Sequence, residues 1–144
     1  MTALLFYGDT ERSPAMRHEL PVTIGDSFLL GIVDGQLHVM ASDLERSRIE
    51  VVAPDAVLHD YDALGFRELL GTGIRRHELE LELASRAVAA MGIREATVDP
   101  DMPVAVADRL RADGIFIHAD YEAIAARRRA KSAPELAGIR RAQA

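Results

Sequence analysis

The sequence predicts an α/β domain, and three observations carry that reading. Short apolar runs alternate with longer Ala-, Leu- and Glu-rich stretches. An Asp-Gly pair sits between two strand-like segments. Glycine and proline mark most of the remaining junctions.

The elements follow in order. Ala3 to Tyr7 (ALLFY), closed by Gly8-Asp9, reads as a buried strand entering a turn. Ser27 to Val33, Asp34-Gly35 and Gln36 to Ser42 read as a hairpin, because Asp-Gly supplies the positive φ angles of a two-residue turn. Asp43 is placed to cap a short helix through Arg48. Ile49 to Val52 and Val57 to Tyr61 then read as strand pieces separated by Pro54-Asp55.

Glu78 to Met91 (ELELELASRAVAAM) fits two patterns, since Leu79, Leu81 and Leu83 alternate with glutamates as in an amphipathic strand. Leu79, Leu83, Ala87 and Met91 also share one helical face, and Gly92-Ile93 supplies a helix stop, so the segment is assigned as a helix. Ala96 to Val98 is a strand. Asp101 is the expected cap of a helix with Pro103 in its first turn, ended by Gly114, and Ile115 to His118 is the next strand. A helix from Asp120 to Ala130 follows. In Ser132-Ala-Pro-Glu135 the hydroxyl and carboxylate are spaced as a capping box, opening a last helix over Ala133 to Gln143.

Composition narrows the function. The 144 residues suit one domain. A net charge of -6 disfavours nucleic acid as a partner, because phosphate binding needs a clustered excess of Lys and Arg. There is no cysteine, hence no disulfide or thiolate metal site, which suits a cytoplasmic location. No apolar run reaches the roughly 20 residues needed to cross a bilayer, so a membrane role is disfavoured too.

Candidate chemistry is sparse. His77-Glu78 begins like a helical zinc motif, but Leu81 stands where the second histidine belongs. Along a strand, Asp60 and Asp62 point one way and His59 the other, leaving a solvated edge. No phosphate-binding glycine pattern or nucleophile elbow occurs. Arg127-Arg128-Arg129 with Lys131 reads as a solvated helix end favoured by the helix dipole. Neither a catalytic nor a metal-ligating residue is assigned. Thr10 to Glu19 (TERSPAMRHE) is dense in charge directly after the first strand, where α/β folds present ligand-contacting groups, and Arg12, Arg17 and His18 are the substrate-entrance candidates. The competing reading is that Ser13 caps a short helix starting at Pro14 and that Arg17 and His18 are merely exposed on it.

The segments SFLLGIVDGQLHVMASDLERSRI, VAVADRLRADGI and above all RRRAKSAPELAGIRRAQA resemble the N-terminal domain of the creatinase, prolidase and Xaa-Pro aminopeptidase family. The likeness spans nearly the whole chain, although FYGDTERSPAMRHE stands where many relatives carry an aromatic-Leu-Thr/Ser-Gly element. The resemblance implies a mixed, twisted sheet flanked by helices, related to the ribonuclease H-like arrangement. It divides the chain into a domain over residues 1–131 and, over 132–144, the start of the first helix of a pita-bread catalytic domain. That C-terminal domain is the implied partner and would hold two divalent metal ions, manganese, cobalt or zinc, through two Asp, one His and two Glu beyond Ala144. The implied role of the present segment is non-catalytic: shaping homo-oligomers, commonly dimers, and the access of peptide substrates. A creatinase-like amidinohydrolase and a relative that has lost catalysis are the other parents that the resemblance allows. The alternative from another class is a free-standing α/β interaction or small-molecule-binding module.

The capping box yields a test. Ser132→Ala is expected to loosen the last helix by about 0.5–2 kcal/mol, read as faster amide exchange over Pro134 to Gln143 with the rest of the domain unchanged.

Overall fold

The structure, a computed structural model, describes residues 2–129 and 133–143. Its first strand, β1 (Ala3–Gly8), is apolar on both faces, with Leu5 turned to one side and Phe6 to the other. A strand with no polar face has to lie inside a sheet, and β1 does so, pairing antiparallel with β2 (Phe28–Val33) and parallel with β5 (Glu95–Val98). The hairpin partner β3 (Gln36–Met40) continues the antiparallel side, and the short β4 (Val57–Leu58) joins it in parallel. On the other side β6 (Phe116–Ala119) runs parallel to β5, giving the order β4-β3-β2-β1-β5-β6. The sheet is therefore mixed, as expected. The turn joining β2 to β3 has φ of 50° at Asp34 and 79° at Gly35, the left-handed pair that closes a two-residue hairpin.

Helices cover both faces. On one lie α3 (Phe66–Leu70), α4 (Arg76–Ala90) and α5 (Val104–Ala112), packing Leu79, Leu83, Val88 and Leu110 against Leu5, Leu29 and Ala96. On the other lie α1 (Pro14–Glu19), α2 (Arg46–Val52) and α6 (Tyr121–Arg129), packing Met16, Ile49 and Ile124 against Phe6, Leu30 and Val39. A last helix, α7 (Ala133–Gln143), follows α6. Ser132, the first residue of the expected capping box, lies outside the described residues, as does the proposed boundary between residues 131 and 132.

Several local expectations are corrected. Ile49 to Val52 is helical. A single buried side chain, Ile49, anchors this helix, whereas Val51 is 82% exposed and would have no sheet neighbour to pack on. Asp43 begins a 3-10 turn, and the cap is Ser42, whose hydroxyl accepts from the Leu44 N–H. The strand after Pro54-Asp55 ends at Leu58, not Tyr61, and α3 was not anticipated. Asp101 does not cap α5. Its own N–H is taken by the Asp99 carboxylate at 3.0 Å, and Pro103 stands at the cap position without a side-chain bond.

The sheet edge holds an imidazole pair. His38 on β3 and His59 just past β4 stack with ring centroids 5.2 Å apart, and His38 Nδ1 lies 2.9 Å from His59 Nε2. Such a bond needs one nitrogen as donor and one as acceptor. Burial pushes both pKa values below the ordinary 6.5, and His59 is lowered further by the facing His38. The unfolded chain therefore binds more protons than the folded one as pH falls through 6.5 and below, so the pair's contribution is complete above that pH and lost under it. The thermal midpoint is expected to drop between pH 7 and pH 5, and a His38→Asn, His59→Asn double variant should flatten that part of the curve. An unchanged slope in calorimetry would remove the pair from the pH response.

Candidate functional site

The loop leaving β1 is fixed by two buried polar residues. Asp9 accepts the Arg12 N–H on its carboxylate at 2.7 Å and the Ser13 N–H on its carbonyl at 3.1 Å. Thr10, 1% exposed, donates its hydroxyl to the Val22 carbonyl at 2.5 Å and accepts the Ile24 N–H at 2.8 Å. Both ends of the α1 segment are thereby tied down. The Ser13 hydroxyl then accepts the Met16 N–H at 3.1 Å and Pro14 opens α1, as the capping reading required.

This frame separates the three entrance candidates. Arg12 and Arg17 project to solvent, and among the described residues their side chains form no hydrogen bond or ion pair. His18 does not share that exposure. Its side chain is only 12% accessible, and Nδ1 lies 2.6 Å from Oε1 of Glu135 on α7. The neighbouring Glu19, which the sequence reading passed over, accepts two bonds from the Arg127 guanidinium of α6, at 2.5 and 3.0 Å. That carboxylate holds the Arg127 pKa above its ordinary value, against the opposing effect of burial. The end of α1 thus grips both C-terminal helices, and Arg127 is not purely solvated. Its signal in the sequence is a faint one, an acid beside a histidine more than a hundred residues from their partners.

A second feature lies at the same end of the sheet, on the face covered by α3 and α4. A cleft of about 610 Å³ opens between the ends of β1, β2 and β3 and these two helices. Phe28, Met40, Phe66, Leu79 and Leu83 make its apolar wall, and Tyr7, Tyr61, Asp26 and Glu80 supply polar groups. The Tyr61 ring lies against Phe66 with centroids 5.4 Å apart. Tyr7 is pushed up to about 12, first by burial and then by the Glu80 carboxylate and Tyr61. Tyr61 is raised too, by burial and by Glu80, Asp26 and Asp43. Both phenols therefore stay protonated at neutral pH.

Among the described residues no three His, Asp or Glu side chains converge to hold a metal ion. Nor is any helix among them long and apolar enough to cross a membrane.

Neither a family model nor a curated protein matches this sequence. Solved structures do match. An Xaa-Pro aminopeptidase from Streptococcus pyogenes is similar with a TM-score of 0.54 and 12% identity, over 85% of this chain and 83% of that one. The N-terminal domain of the cytoplasmic peptidase PepQ from Mycobacterium tuberculosis also gives 0.54, at 14% identity, over 88% of this chain and 86% of that one. This chain has their fold. At such identities the likeness lies in backbone topology, and it meets the architectural expectation drawn from the sequence, a mixed sheet flanked by helices.

The grip of α1 on α6 is testable. Glu19→Ala is expected to cost about 1 kcal/mol, below the ~1.5–3 of a charge-assisted bond, because water screens the half-exposed Arg127. A double-mutant cycle with Arg127→Ala should return that coupling, and amide exchange should quicken over Tyr121 to Arg129 before it does in β1. A coupling of zero would mean that the pair holds nothing.

Proposed function

We propose that this chain is the non-catalytic N-terminal domain of a metal-dependent Xaa-Pro peptidase, of aminopeptidase P or prolidase type, shaping oligomerisation and the access of peptides to a pita-bread catalytic domain. The observation that carries the reading is the shared fold, which extends over 85% and 88% of this chain in comparison with two peptidase chains. Residues 132–144 are then the start of the catalytic domain's first helix. Two features support that assignment. Leu136 and Ile139, three residues apart on one face of α7, stand 40% and 42% exposed, an apolar stripe suited to a covering domain. The same helix is tied to the body of the fold through His18 and Glu135.

Under this reading the two divalent ions and their ligands belong to the catalytic domain, and the location is the cytoplasm, the mycobacterial neighbour being a cytoplasmic peptidase. Arg12 and Arg17, which face solvent, remain the candidates for contact with incoming peptide. The alternative, a free-standing small-molecule-binding module, draws its support from the cleft beside α4.

The native reading frame decides between them. It is expected to continue past Ala144 for roughly 200 residues, the size of one catalytic domain, and to supply two Asp, one His and two Glu in that order. The 144-residue protein assayed alone on Xaa-Pro peptides with manganese or cobalt should be inactive. Robust turnover by it, or a native stop codon after Ala144, would overturn the proposal.

A further inference from the structure

The cleft between the sheet end and α4 has the size of a small-molecule site, about 610 Å³ against the roughly 300–1,000 Å³ usual for such pockets. Its chemistry is uneven in an informative way. The wall from Phe66, Leu79 and Leu83 is apolar, while the charged groups of the lining are predominantly acidic. Asp26 forms no ion pair among the described residues. Glu80 has one partner, Arg76, at 3.5 Å, but that guanidinium side chain is 90% exposed and its hold is screened by water. Arg76 is also the one basic residue in the cleft lining, against three carboxylates, those of Asp26, Glu45 and Glu80. Glu45 is engaged by Arg48 at 2.5 Å, which leaves Asp26 and Glu80 to set the local field.

Two phenols stand in that field. Neither the Tyr7 nor the Tyr61 hydroxyl has a hydrogen-bond partner within the protein among the described residues, although both are half-buried. A phenol oxygen can accept a hydrogen bond from an ammonium group, and the faces of Tyr61 and Phe66 attract a cation through their quadrupoles. The field itself is visible in its effect on the phenols. Burial is the larger cause of both shifts and disfavours any charge, but the contribution of Glu80 to both phenols, and of Asp26 to Tyr61, reverses sign for a cation and favours a positive charge in the same place.

We propose that this cleft binds a small organic cation, a primary amine carried on an apolar body of about one ring, with the ammonium between Glu80, Asp26 and the tyrosine oxygens and the body against Phe66, Leu79 and Leu83. The apolar wall supplies contact area and the acidic opening supplies selection by charge. The inference is independent of the peptidase reading and gives a ligand class to the cleft on which the small-molecule-binding alternative draws. It concerns a site held within residues 7–83, and it stands or falls whether or not a catalytic domain follows.

The test uses three ligands of nearly one shape: 2-phenylethylamine, 2-phenylethanol and phenylacetate, titrated into the 144-residue protein and followed by amide chemical shifts and by calorimetry. The amine should give saturable shifts at Tyr7, Tyr61 and Leu83, the alcohol should bind roughly tenfold or more weakly, and the acid should not bind. Glu80→Gln should weaken the amine by roughly threefold, the effect of a half-exposed carboxylate, and leave the alcohol unchanged, and Asp26→Asn should act in the same direction. Both sites are exposed and the changes are near-isosteric, so the dispersion of the amide spectrum serves as the check of folding. Equal affinity for amine and alcohol, shifts mapping outside the cleft, or no saturation with the amine would each overturn the proposal.

Discussion

The fold depends on the two-sided burial of β1. Leu5 and Phe6 are adjacent in the chain and point to opposite faces, yet both are almost wholly inaccessible, at 0% and 1%. One face needs α4 and α5 to cover it, and the other needs α1, α2 and α6. Burying each large side chain is worth about 1.5–3 kcal/mol, and these contacts accumulate only when β1 is hydrogen-bonded along both edges. The hairpin meets one edge in antiparallel fashion. β5, reached after α4, meets the other in parallel. The mixed character of the sheet follows from these two different routes to the same central strand.

The last residues of β1 also set both places where the domain meets other molecules in our reading. Tyr7 continues the side of Leu5 and enters the cleft beside α4. Past Gly8 the chain turns, and Asp9 and Thr10 lock the loop that aims α1, whose final residues hold α6 and α7. One strand end thus serves two faces. Neither region is built from a local motif, because each combines groups brought from distant parts of the chain by the sheet.

That distinction explains what was legible in the sequence. The hairpin was readable because Asp34-Gly35 carries its own backbone geometry, and α4 because Ala, Leu and Glu agree with the spacing of its buried face. Ser13 as a cap was likewise local, satisfied three residues on. Ile49 to Val52 misled because its β-branched residues favour strands, while the tertiary environment asked only for one buried side chain, Ile49. The role of Thr10 was invisible, since its partners Val22 and Ile24 lie beyond α1. His59 read as a solvated edge residue because nothing local announces His38 across the β3–β4 pair. The contacts of His18 and Glu19 span 117 and 108 residues, and no periodicity encodes separations of that kind.

The cleft gains its definition from the way α4 is held. Glu82 accepts bonds from Arg109 of α5 at 2.5 Å and from Arg86 of its own helix at 3.1 Å, and these bonds keep the Glu82 carboxyl below its ordinary pKa. Arg86 in turn donates to the Leu64 carbonyl at 2.8 Å, tying α4 to the loop that leads into α3. Gly65 is required beside that bond. Its φ is 89°, and a Cβ there would fall 2.3 Å from the Arg86 guanidinium. Clamped to α5 on one side and to the α3 loop on the other, α4 cannot drift without breaking several charged bonds at once. The half-exposed positions limit what each bond contributes singly, but together they fix the rotation of the helix. With Leu79 and Leu83 seated in the core, Glu80 is carried to the cleft opening by the helical repeat. A site whose charged group sits on a helix fixed in this way loses little freedom on binding, so more of the contact energy remains as affinity.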